Sequence, residues 1–139
     1  MKFNSFVVFL LCASLSHAQE FFLFTGTYTS GESKGIYVHS FDAADGSVKA
    51  IAVAENVENP SYLAISPMGK FLYAVNENGG EKPGEVSAFS VDRSNGRLSF
   101  INKQETRGDH PCYVSVDESG KWLLVGNYSG GNLSLFPLN

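Results

Sequence analysis

Three shortages narrow the reading of this chain before any motif does. Cysteine is nearly absent: only Cys12 and Cys112 occur. Cys12 falls in a segment expected to be removed, Cys112 alone closes no internal disulfide, and no Cys or His pair has metal-ligand spacing, so no metal or organic cofactor is indicated. Cations are also short, ten Lys and Arg against 14 Asp and Glu, for a net charge of −4. Nucleic-acid binding relies on clustered Lys and Arg, so that class of partner is excluded. Long apolar runs are missing too. The run Phe6 to Leu15 is half of the ~20 residues a membrane span needs. No 3.6-residue stripe persists either, which removes helical architectures. Charged residues at 17% and apolar ones at 43% still describe a globular chain rather than a disordered one.

The N-terminus reads as a targeting segment. Lys2 supplies a positive start, Phe6 to Leu15 the apolar run, and Ser16-His17-Ala18 the small residues before a cleavage point. The expected division is therefore a signal peptide over residues 1–18 and a single domain over 19–139, exported to the periplasm or the cell exterior. Leu11 stands before Cys12 where lipidation needs a small residue. Cleavage removes Lys2, one of the ten cations, and no acid, so the remainder carries nine against 14 and a charge of −5. Cys112, opening an apolar strand, reads as a buried, inert thiol.

What is present is a repeat. Asn59-Pro60-Ser61-Tyr62 is answered by His110-Pro111-Cys112-Tyr113, and Phe71-Leu72-Tyr73-Ala74-Val75-Asn76 by Trp122-Leu123-Leu124-Val125-Gly126-Asn127. Pro60 to Pro111 and Gly69 to Gly120 are both 51 positions apart, and Gly46 to Gly96 is 50. The middle unit carries four apolar runs of strand length, Tyr62–Ser66, Phe71–Asn76, Val86–Asp92 and Leu98–Gln104. Four short antiparallel strands repeated at about 50 residues match a β-propeller blade. Around that unit, Glu20–Thr29, Ile36–Phe41 and Val48–Ala54 form three strands before it, and three more follow. Asp45-Gly46 and Asn95-Gly96 mark equivalent hairpins. The fold class is all-β, about two and a half blades of a larger ring, and the remaining blades of the same propeller are the first expected partner.

Antiparallel alternation puts the loop entering an innermost strand and the loop between the second and third strands on one face. That face gathers Tyr28–Gly35, Asn56–Ser61, Glu77–Gly84, Thr106–Cys112 and Tyr128–Asn132, and binding residues concentrate on such loops. Glu77 is a candidate general base and His110 a candidate for activating water. Their plain alternatives are a turn cap and a solvated loop residue. Asn127-Tyr128-Ser129-Gly130-Gly131-Asn132 offers amides for an oxyanion or simply a tight turn, and holds two glycosylation triplets, at Asn127 and Asn132. Lys34, Lys82 and Arg107 are cations that attract a carboxylate or phosphate, or are solvated loop charges. His39 reads as a strand-face residue.

Five segments in order resemble the seven-bladed β-propeller lactonase family. They are Phe24-Thr25-Gly26-Thr27-Tyr28-Thr29, Asn59-Pro60-Ser61-Tyr62-Leu63, Leu72-Tyr73-Ala74-Val75-Asn76-Glu77, Pro111-Cys112-Tyr113-Val114-Ser115-Val116-Asp117 and Gly126-Asn127-Tyr128-Ser129-Gly130-Gly131-Asn132. The resemblance implies a hydrolase of sugar lactones, 6-phosphogluconolactonase-like, acting on a small lactone. Carried over by position, the candidate site is Glu77 and His110 for catalysis, with Tyr28, Asn76, Asn127 and Tyr128 binding substrate and Arg107 beside them. Tyr113 departs from the family, which commonly has His there, and export is unusual for an enzyme of a phosphorylated substrate. The alternative reading is an exported propeller that only binds a carbohydrate or a protein.

Overall fold

The computed structural model describes residues 20–138, so the expected signal peptide lies outside the described residues. Ten strands follow one another: β1 (Glu20–Thr25), β2 (Gly35–Asp42), β3 (Val48–Glu55), β4 (Leu63–Ile65), β5 (Phe71–Asn76), β6 (Glu85–Val91), β7 (Leu98–Glu105), β8 (Pro111–Val116), β9 (Trp122–Asn127) and β10 (Asn132–Pro137). They form three antiparallel meanders, β1-β2-β3, β4-β5-β6-β7 and β8-β9-β10. These are the three, four and three strands that the repeat predicts. No helix among the described residues is long and apolar enough to cross a membrane.

The repeat holds at the level of register. Both outer pairings slip at the same place, between Val38 and His39 opposite β3 and between Ala88 and Phe89 opposite β7, leaving Ile51 and Ile101 as the extra residues. A third bulge, between Pro111 and Tyr113, leaves Cys112 unpaired at the start of β8; bulges of this kind re-aim a side chain. The hairpin turns match too. The amide of Gly46 donates to the Asp42 carbonyl at 2.8 Å and that of Gly96 to Asp92 at 2.7 Å, with φ of 75° and 73°, the left-handed conformation that glycine supplies.

Each core lies between two sheets rather than within one. Alternate residues of β5 face opposite neighbours: Leu72 and Ala74 pack with Ile36, Val57 and Phe89 against the first sheet, and Tyr73 and Val75 with Val86, Val114, Leu123 and Val125 against the third. Five of the six β5 residues are consequently buried, and only Phe71 is exposed. At about 1.5–3 kcal/mol for each large apolar side chain taken out of water, these shared interiors rather than strand pairing hold sheet to sheet. The outer strand β7 is exposed along most of its length.

Two strands are shorter than the sequence predicts. Thr29 leaves β1 because its amide and hydroxyl both donate to Asn59 Oδ1, at 3.0 and 3.2 Å. Ser66 leaves β4 because its side-chain oxygen accepts from the Phe71 amide at 3.0 Å, closing the turn. The corresponding turn before β9 is built on Asp117, which accepts from the amides of Lys121 at 2.8 Å, Trp122 at 2.7 Å and Ser119 at 3.1 Å, and from the Ser119 hydroxyl. Led by the Ser119 hydroxyl bond, these donors hold its carboxyl well below the usual range, at about 2.

Candidate functional site

The residues that precede β4 and β8 adopt one backbone shape. Asn56 and Arg107 have φ of 62° and 54°, and Asn59 and His110, each just before a proline, 44° and 52°. Asn and His tolerate this left-handed region better than most side chains. The turns then stitch the rim together: Glu77 N donates to Asn59 O at 3.0 Å, and Tyr128 N to His110 O at 2.9 Å in the same role. His110 N reaches across to Asn78 O at 2.8 Å. Glu77 and Tyr128 therefore occupy equivalent places on one rim.

On this rim, Glu77 is held from two sides. The Tyr28 hydroxyl donates to Glu77 Oε2 at 2.8 Å, and the Ser61 hydroxyl donates to the same oxygen. Glu77 Oε1 has no hydrogen-bond partner among the described residues. Three segments, one per residue, thus converge on a single carboxylate oxygen. The bond to Glu77 is the chief reason the Tyr28 phenol stays protonated above its ordinary range; burial and the Glu77 charge add to it, and the nearby Cys112 contributes least.

The other predicted residues divide. Asn76 is 3% exposed and its amide is committed, donating to Glu58 O at 2.7 Å and accepting from the Ser87 hydroxyl at 2.7 Å. Asn127, 4% exposed, donates to Ser134 Oγ at 3.0 Å, and its own oxygen is unpartnered among the described residues. Tyr128 projects freely, 81% exposed. Arg107 lines a groove between loops with Gly80, Glu81, Pro83 and Asp109 and takes no part in the Glu77 cluster. His110 makes no bond to Glu77. Its ring lies flat against Gly79, where an added Cβ would stand 2.4–2.9 Å from three ring atoms, and its buried Nδ1 is unpartnered among the described residues. The bare backbone of Gly79 is what leaves room for the ring.

The rim lysines are engaged. Lys34 pairs with Glu55 at 3.3 Å, and Lys82 with Glu58, whose carboxyl is held below its usual range chiefly by that lysine. Cys112 is half-buried on its bulge rather than fully enclosed. Asn127 is too buried to accept a glycan, and the Asn132 amide donates to Arg107 O at 3.2 Å. The described residues contain no group of three or more side chains able to hold a metal ion. Ser61 was legible only as part of a repeated X-Pro-X-Tyr segment, because nothing in its local sequence says that it meets a carboxylate 16 residues away.

Comparison with known proteins completes the picture. A family model described as "Lactonase, 7-bladed beta-propeller" matches residues 22–139. The chain is 35% identical over 118 residues to a 6-phosphogluconolactonase of Formosa agariphila and 35% identical over 115 residues to one of Bacillus subtilis, covering 84% and 83% of this chain and 33% and 32% of theirs. Among solved structures, a Bacteroides fragilis protein superposes with a TM-score of 0.81 at 45% identity over 86% of this chain and 33% of its own. The periplasmic gluconolactonase of Pseudomonas aeruginosa superposes at 0.80 with 41% identity over 87% and 35%. The chain spans about a third of the length of the relatives it matches. Its three sheets are consecutive propeller blades, and the chain belongs to the seven-bladed β-propeller lactonase family.

Proposed function

We propose that the whole protein hydrolyses a sugar lactone at this rim, with Glu77 as general base. The observation that carries the reading is the convergence of Tyr28 and Ser61 on Glu77 Oε2, which fixes the carboxylate while leaving Oε1 for water. Glu77 takes a proton from that water as its oxygen bonds to the ring carbonyl carbon. Collapse of the tetrahedral intermediate breaks the ring C–O bond, and the proton passes to the departing alkoxide, leaving the open hydroxy acid. His110, whose Nδ1 is unpartnered among the described residues, is the imidazole of the rim and serves the return of that proton. Tyr28 and Tyr128 line the approach, and the remaining blades supply the rest of the site. Family membership and relatives named 6-phosphogluconolactonase support the substrate class. The targeting pattern of residues 1–18 and a periplasmic relative support an exported location.

The test is the opening of gluconolactone and 6-phosphogluconolactone by the full-length protein, measured above the spontaneous rate. Glu77→Gln is expected to lower kcat by about 10²–10⁴, the range of a general base, with Tm nearly unchanged. Inactivity on both lactones together with tight glycan or protein binding would replace the hydrolase by a binder.

A further inference from the structure

Between Glu77 and His110, the two groups given chemical roles, stands a residue that has none. Asn78 follows Glu77 in sequence, and its carbonyl accepts the His110 amide at 2.8 Å. The next residue, Gly79, takes the His110 ring against its bare Cα. One Cα-to-Cα step of about 3.8 Å and one hydrogen bond therefore join the backbones of Glu77 and His110, and both run through Asn78. Asn78 itself is 7% exposed, and all four of its polar groups are engaged. Its amide donates to Asn76 O at 2.7 Å and its carbonyl serves His110. Its Oδ1 accepts from Asn59 Nδ2 at 2.9 Å, and its Nδ2 donates to Glu58 Oε2 at 3.4 Å.

These side-chain bonds run in one sense, and the sense is dictated at both ends. The Glu58 carboxylate, paired with Lys82, only accepts, so Asn78 must turn its nitrogen toward Glu58 and its oxygen toward Asn59. Asn59 then presents Nδ2 to Asn78 and Oδ1 to the Thr29 backbone amide, which only donates. A network with every donor and acceptor matched is rigid. The neighbouring junction shows that position 78 has changed its duty. Its counterpart in the first blade, Thr29, receives the Asn59 amide on its side chain, at 3.1 Å. At Asn78 the matching stitch passes to the carbonyl, which frees the side chain to tie its loop to Asn59 and Glu58. Asn59 O also accepts the Glu77 amide at 3.0 Å, so the residue that anchors the Asn78 side chain anchors the Glu77 backbone as well.

We infer that Asn78 is a positioning residue, acting through Glu77 and His110 by fixing where the carboxylate and the imidazole stand relative to one another. The inference rests on the hydrolase reading of this rim and adds the group that sets its geometry. In the full-length protein, lactone opening and Tm are measured for Asn78→Ala, Asn78→Asp, Glu58→Gln and the pair Asn78→Asp/Glu58→Gln. Alongside them, the rate at which diethyl pyrocarbonate modifies His110 is followed by mass spectrometry, with His39 as internal reference. Asn78→Ala is expected to lower kcat about 10- to 100-fold with KM changed less than about twofold, the effect of a small misplacement of reacting groups. Modification of His110 is expected to speed up about fivefold or more as its seat loosens. Asn78→Asp sets two carboxylates side by side and is expected to lose as much kcat. The pair restores a donor to that bond in the opposite sense and is expected to return kcat to within about threefold of Glu58→Gln alone. A merely structural role would lower Tm and the folded fraction while leaving the kcat of the folded protein and the reactivity of His110 unaltered. That result overturns the inference and leaves the hydrolase intact, as does a pair no better than Asn78→Asp. If the wild type opens neither lactone, the hydrolase reading falls by itself and His110 decides: faster modification in Asn78→Ala upholds the positioning of the imidazole, and equal rates refute it.

Discussion

The two junctions between blades follow one plan with different residues. Where the first sheet meets the second, Asn59 works as a rivet: its oxygen accepts from the Thr29 amide and hydroxyl, its nitrogen donates to Asn78 Oδ1 at 2.9 Å, and its own amide donates to Thr29 Oγ1 at 3.1 Å. Where the second meets the third, His110 stands in the same backbone conformation before the same proline. It keeps the main-chain stitches and leaves its ring nitrogen Nδ1, against Gly79, unpartnered among the described residues. A residue whose every polar atom is satisfied explains itself as scaffold. One that abandons those bonds for an imidazole, in an otherwise repeated setting, is the position that the proposed function puts to use.

The largest expected effect comes from making the second junction like the first. His110→Asn suits the left-handed backbone and is expected to fold with little change in Tm, while lactone opening by the full-length protein drops about 10²–10⁴-fold if the imidazole moves a proton. Retained activity would return His110 to the scaffold. The junctions also differ in how closely they approach. Blade two presents Val75 to the third sheet, but blade one presents Gly26, where an added Cβ would stand 1.9 Å from the Pro60 carbonyl oxygen. Gly26→Ala is expected to cost at least about 3 kcal/mol in urea unfolding, the upper end for overpacking, since neither backbone can yield. Asn59→Ala, which strips the rivet, is expected to cost about 2 kcal/mol by the same measurement, from donors left unpaired and an unfavourable backbone.

The smallest effect belongs to a turn remote from both junctions. Asp117 has a folded carboxyl depressed to about 2, so its stabilising contribution is complete above its unfolded value of about 4 and is lost as pH falls from there through about 2. Asp117→Asn should flatten the acid limb of a Tm-against-pH curve over that window and leave Tm at pH 7 only slightly lowered.

Much of this was legible in the residues. The 51-residue spacing, the Gly-marked hairpins and the β-rich runs specify three, four and three strands, because blade boundaries are set by local turn chemistry that a single sequence displays. Tyr28 and Glu77 were visible as equivalent loop positions, and only the fold reveals that they touch. Ser61 was not visible as part of a site, since the carboxylate it meets lies 16 residues on, across the β4–β5 hairpin. Asn76 and Asn127 were expected to bind substrate on the strength of the family resemblance. Their strand-end positions instead draw them inside, where backbone carbonyls and serines claim their amides.

Because β5 lends one face to each interior, the middle blade is a shared wall between two rooms, and damage to it is felt on both sides. A ring assembled this way gains little from any blade in isolation, so duplication of a unit is retained when its new copy finds a neighbour on each side. Rim loops, lying outside both rooms, are left free to diverge.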